Sequence, residues 1–106
     1  MSKAITRLVV YRPKAGHQAA LETILRKHGA VLRQTGLITQ EPVCLHRAQD
    51  LSHEGAPPPP HFVEIFQWRD NEAAEAAHQL PEVMAVWETI GPHVDQMTLT
   101  TLEAVA

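Results

Sequence analysis

The eight residues from His61 to Trp68, His-Phe-Val-Glu-Ile-Phe-Gln-Trp, leave this chain few ways to fold. β-Branched and aromatic side chains fill the stretch, Pro57–Pro60 bound it in front, and Asp70 behind it is a good helix N-cap. The pattern predicts a strand that runs straight into a helix. Alternation puts Phe62, Phe66 and Trp68 on one face and Val63 and Ile65 on the other. A strand apolar on both faces belongs in the middle of a sheet. One acid, Glu64, interrupts the aromatic face.

The remaining elements follow from changes of period. Ala4–Arg12 alternates as a strand, with Ile5, Arg7, Val9 and Tyr11 on one side, and Pro13-Lys14-Ala15-Gly16 breaks it. From His17 to about Gln34 the period is helical, with Leu21, Ile24, Leu25, His28 and Leu32 on one stripe. Gly36 is placed to end this helix, and Gly29 weakens its middle. Thr39–Ala48 reads as a second strand, which Pro42 assigns to a sheet edge. Gln49–Pro60 is a proline-rich loop suited to a stiff hairpin tip. Beyond the central strand, Asp70–Gln79 is an alanine-rich helix, interrupted at Leu80-Pro81, where a new turn starts with Pro81 at N1. Val83, Met84, Val86, Trp87 and Ile90 form its apolar stripe, Gly91-Pro92 stops it, and Asp95–Val105 is a last strand.

The order β-α-β-β-α-β, with a broken second helix, predicts an α+β fold: a ferredoxin-like four-stranded antiparallel sheet with strands one and three in the centre. Two helices cover one face of such a sheet. The outer residues Val63 and Ile65 are expected to meet the helices, which leaves Val9, Tyr11, Phe62, Phe66 and Trp68 on the other face. An apolar patch of that size calls for a cover. Sheet-on-sheet packing of two copies supplies one, so a homodimer is expected, with a cavity inside the closed barrel.

At 106 residues the chain is read as a single domain spanning 1–106. A net charge of −3 argues against a general nucleic-acid partner, and no apolar run reaches the roughly 20 residues of a membrane helix. Charge is unevenly distributed: beyond Arg47 the only base is Arg69, against ten acids. That pattern fits two solvated faces of opposite sign, or halves that attract one another. Cys44 is alone, so an internal disulfide is impossible and a reducing cytoplasm is the simplest setting. Seven histidines invite a metal site, but none forms an HxH, HxxxH or HExxH pattern, and no metal is expected.

Phe62-Val63-Glu64-Ile65-Phe66-Gln67-Trp68, a short acidic spacer, then Glu72-Ala73-Ala74, Ala77-His78 and Pro81-Glu82-Val83-Met84 resemble the dimeric α/β-barrel superfamily, and within it the antibiotic-biosynthesis-monooxygenase-like domain. The specific part of the likeness covers residues 62 to 90. It implies a dimeric α/β barrel, and among activities it includes cofactor-free monooxygenation of quinols or anthrones. The haem-degrading branch uses an Asn on the first strand and a Trp and a His on the second helix. Val9, His78 and Glu88 stand at those places here, which argues against that role.

Read with this likeness, Arg7, Tyr11, Phe66, Trp68 and Trp87 are the candidate substrate-binding residues, and Glu64 and His78 the candidate catalytic ones. The rings can stack on a flat substrate and Arg7 can favour its anion. Glu64 or His78 can take a proton. Arg7 and Glu64 are also placed to pair across neighbouring strands. No cofactor is expected, and the partners are a second copy and a small apolar or aromatic molecule. A dimeric module that binds or senses such a molecule without catalysis fits the same residues.

Overall fold

The computed structural model describes residues 3–106. Strand β1 (Ile5–Pro13) leads through a turn at Gly16 into helix α1 (Gln18–Thr35). Strands β2 (Cys44–Ala48) and β3 (His61–Trp68) form a hairpin across the proline-rich loop. Helices α2 (Asn71–Ala77) and α3 (Pro81–Ile90) follow, then a 3₁₀ turn (Gly91–His93) and strand β4 (Val94–Leu102). The sheet is antiparallel throughout, in the order β2-β3-β1-β4. β3 and β1 are central and β2 is an edge, as the sequence predicts. The second strand is shorter than expected: Ile38 makes an isolated bridge to Trp68, and the chain bends at Gln40 and Glu41, just before Pro42, until pairing resumes at Cys44.

Local chemistry sets the helix ends. Asp70 accepts a hydrogen bond from the Ala73 backbone N–H at 2.7 Å, an N-cap that turns the end of β3 into α2. Gly36 ends α1 at a φ of 72°, the left-handed conformation that glycine adopts without a steric penalty. Gly29, a weak point for helix propensity, has a packing reason. A Cβ there would lie 3.2 Å from Val43 Cγ1, so its absence lets α1 lie close to the segment entering β2. Gly91-Pro92 does not stop α3 outright; it tightens it into the 3₁₀ turn.

The faces of the sheet are the reverse of the expectation. Val9, Tyr11, Phe62, Phe66 and Trp68 are buried and share one core with Leu21, Leu25 and Leu32 of α1, Ala73 and Ala77 of α2, and Val83 and Ile90 of α3. The aromatic face therefore meets the protomer's own helices. Leu8, Val10, Val63 and Ile65 point the other way and are only half-buried. The physical reason is depth. Aromatic rings need a layer thick enough to enclose them, and the leucine stripe of α1 supplies it. Burying Trp68 alone is worth about 4–6 kcal/mol at 25 cal/mol per Å², comparable to the whole stability of a small domain. β4 lies beyond the helices, with Met97 46% and Leu99 59% exposed.

Candidate functional site

A cavity of about 300 Å³ lies between the sheet and the helices of one protomer, not inside a barrel between two sheets as expected. Arg7, Val9 and Tyr11 of β1, Phe66 and Trp68 of β3, and Met97 and Leu99 of β4 form its floor. His28 of α1, His78 at the end of α2, and Trp87 and Ile90 of α3 form its roof and rim. Most of this lining is apolar. Phe66 and Trp68 meet edge to face, with ring centroids 5.0 Å apart.

Glu64 does not line the cavity; it lies one layer behind it, completely buried. Tyr11 Oη donates to Glu64 Oε1 at 2.7 Å, and His28 Nδ1 lies 2.9 Å from Oε2 and 3.1 Å from Oε1. Trp87 Nε1 lies 2.9 Å from His28 Nε2. An indole N–H can only donate, so Nε2 of His28 must accept. The imidazole proton then sits on Nδ1 and points at Glu64. The four side chains form one directed chain: Trp87 donates to His28, His28 donates to Glu64, and Tyr11 donates to Glu64 from the other side. Burial, then the negative charge of Glu64 and the hydrogen bond to it, holds the Tyr11 hydroxyl far above its usual range, so Tyr11 remains a donor.

Burying a carboxylate costs several kcal/mol, and no lysine or arginine among the described residues offsets it. Replacing such a buried pair with well-packed apolar residues is often neutral or stabilising. An apolar cavity with a few convergent polar groups is the usual makeup of a small-molecule site.

Arg7, Tyr11, Phe66, Trp68 and Trp87 all line this cavity, between the sheet and the protomer's own helices. Arg7 does not pair with Glu64. In the β1–β3 register Arg7 faces Phe66 and Glu64 faces Val9, and the guanidinium instead donates to the Thr101 hydroxyl on β4. His78 sits at the exposed rim, its ring 4.9 Å from that of Trp87. His28 is 2% exposed and is the residue that sequence reasoning passed over, taken as one more member of the α1 stripe. A signal was available: His28 is the polar member of a leucine stripe, and Glu64 the polar member of an aromatic strand face. Two such interruptions are expected to meet. Among the described residues no group of three or more His, Cys, Asp or Glu gathers in metal-binding geometry. No helix among them is long and apolar enough to cross a membrane.

No protein-family model matches the chain, and no curated protein matches it by sequence. Solved structures do. PA3566 from Pseudomonas aeruginosa is 25% identical with a TM-score of 0.74, covering 100% of this chain and 98% of that one. A variant of SnoaB, a cofactor-independent oxygenase from Streptomyces nogalater, is 14% identical with a TM-score of 0.75, covering 99% of this chain and 96% of that one. A dimeric ferredoxin-like protein of unknown function from Jannaschia is 13% identical with a TM-score of 0.73, covering 95% and 99%. The chain shares the four-stranded, ferredoxin-like α+β fold of these structures.

Proposed function

We propose that this protein is a cofactor-independent monooxygenase acting on a small aromatic substrate of the quinol or anthrone type, with His28 as the base and Glu64 as the group that orients it. The single observation that carries the reading is the directed chain from Trp87 through His28 to Glu64, ending against an apolar cavity. A substrate hydroxyl or activated C–H displaces the Trp87 N–H from His28 Nε2 and gives its proton there. The imidazolium that forms already points its other N–H at Glu64, which stabilises the new charge. The substrate anion reduces O₂, and the two recombine at carbon as a hydroperoxide. Loss of water leaves a carbonyl: a CH₂ and O₂ become C=O and H₂O, with the substrate supplying all the electrons. Phe66 and Trp68 stack on the ring, and the dry lining protects the anion from water. His78 packs Trp87 at the mouth.

The likeness to a cofactor-independent oxygenase is consistent with this chemistry. A second reading, a ligand-binding module without catalysis, draws on the Trp87 contact itself, since the Trp87 N–H takes the lone pair of His28. Either reading includes a homodimer, formed through the half-buried face of Leu8, Val10, Val63 and Ile65. Oxygen uptake across a panel of hydroquinones and anthrones, with Glu64→Gln as the control, separates the two. Turnover that falls 10²-fold or more in a folded Glu64→Gln protein supports the enzyme. Flat uptake across the panel, with binding retained, supports the module.

A further inference from the structure

We infer that the molecule this cavity takes is an aromatic acid whose carboxylate is held by Arg7; the inference rests on the reading of the cavity as a substrate site. Arg7 is half-buried and lines the cavity, yet no ion pair joins it to a carboxylate among the described residues. It donates a hydrogen bond to the Thr101 hydroxyl, which steadies one arm of the guanidinium. A guanidinium carries five N–H donors in a rigid fork. Those not used by Thr101 have no protein acceptor among the described residues. A cation with an anchored arm and spare donors at an apolar cavity matches a planar carboxylate.

Register places the cation beside the reacting groups without joining it to them. Arg7 stands opposite Phe66 on β3, and Glu64 stands opposite Val9 with its side chain turned to Tyr11 and His28. The His28 ring lies edge-on to Phe66, with centroids 6.1 Å apart, so base and cation reach the same apolar cavity from its roof and its floor. A flat fused aromatic that carries an ionisable hydroxyl or C–H and a carboxylate at separate positions can meet both. Val9 and Phe66, which share the floor with Arg7, supply the apolar surface for its ring. Arg7 in this arrangement sets specificity and register, and takes no proton.

The test compares 2-naphthol with 6-hydroxy-2-naphthoic acid. They share ring and hydroxyl and differ only in the carboxylate. Trp68 and Trp87 both line the cavity, so quenching of intrinsic fluorescence reports binding directly. The acid is expected to bind at least ten-fold more tightly than the naphthol. Arg7→Gln should abolish that preference while leaving naphthol affinity within about two-fold, and Arg7→Lys should restore part of it. Near-ultraviolet circular dichroism of each variant verifies that the aromatic core is intact. Should Arg7→Gln unfold, the preference of the unaltered protein and its weakening as salt rises still decide the matter. Equal affinity for the two probes, or a preference that survives in folded Arg7→Gln, overturns the assignment of Arg7 and leaves the cavity reading standing. Binding of neither probe at millimolar concentration overturns the cavity reading, and this inference with it.

Discussion

Tyr11 Oη and Glu64 Oε1 lie 2.7 Å apart in the core, joining neighbouring central strands through a phenol that keeps its proton and a carboxylate that no arginine or lysine among the described residues neutralises. Glu64 thereby gains a donor on each side, Tyr11 from β1 and His28 from α1. The sheet and the longest helix are tied together at a polar point inside an apolar core.

Tyr11 is the chain's one tyrosine, so its ionisation can be read without interference. Its ordinary pKa of 10.0 is raised on folding, by burial first and by Glu64 next. The folded protein thus holds a proton that the unfolded chain releases above pH 10. The associated stability is complete below that pH and should fall by about 1.4 kcal/mol per pH unit above it. Absorbance at the tyrosinate band should stay flat in the native protein and rise only with unfolding. A free titration near pH 10 would contradict the bond to Glu64.

The imidazole tautomer of His28 is dictated by Trp87, whose N–H has no other role open to it. Nitrogen chemical shifts should identify neutral His28 as the Nδ1–H form. Trp87→Phe keeps an aromatic ring and deletes the donor, so it should cost at least about 1 kcal/mol of stability. It should also leave Nε2 free to exchange tautomers. Observation of the Nε2–H form in the unaltered protein would remove the directed chain and the base role with it.

Glu64→Gln tests stability as well as turnover. One amide group must now face a donor, Tyr11 or His28, where an acceptor stood. The expected cost is about 1–3 kcal/mol, read from urea unfolding, with the fold retained. Glu64→Leu strands both donors and should cost more. If Leu proves as stable as Glu, the site can be treated as an ordinary core position.

On the uncovered sheet face, Val10 and Val63 are register partners on the two central strands. A charge there meets an apolar surface in a dimer and water in a monomer. Val63→Asp should convert a dimer to monomers by light scattering, whereas Val63→Thr should leave the assembly intact. A monomeric unaltered protein would show that this face is covered otherwise.

Asp70 holds the junction between β3 and α2 through the Ala73 N–H, and α2 places His78 at the cavity rim. Asp70→Ala should lower stability by about 1 kcal/mol, within the 0.5–2 kcal/mol range of lost N-caps. The midpoint of thermal unfolding measures it directly.

Sequence alone was enough for the elements, their order, the central pair of strands and the edge at β2. These follow from local rules: a period of two or of 3.6, a cap at Asp70, a stop at Gly36, a proline at 42. Alternation along β1 and β3 puts Arg7, Tyr11, Phe66 and Trp68 on one side and a helical stripe selects Trp87; these five and His78 line the cavity. Tertiary structure decided the rest. Both faces of β3 are apolar, and alternation states which residues share a face without stating which face the helices cover. The partner of Glu64 lies 36 positions away on another element, where no local pattern reaches it. Only the packing of α1 on the aromatic face brings His28 to Glu64, and only that contact turns a lone acid in a strand into a site.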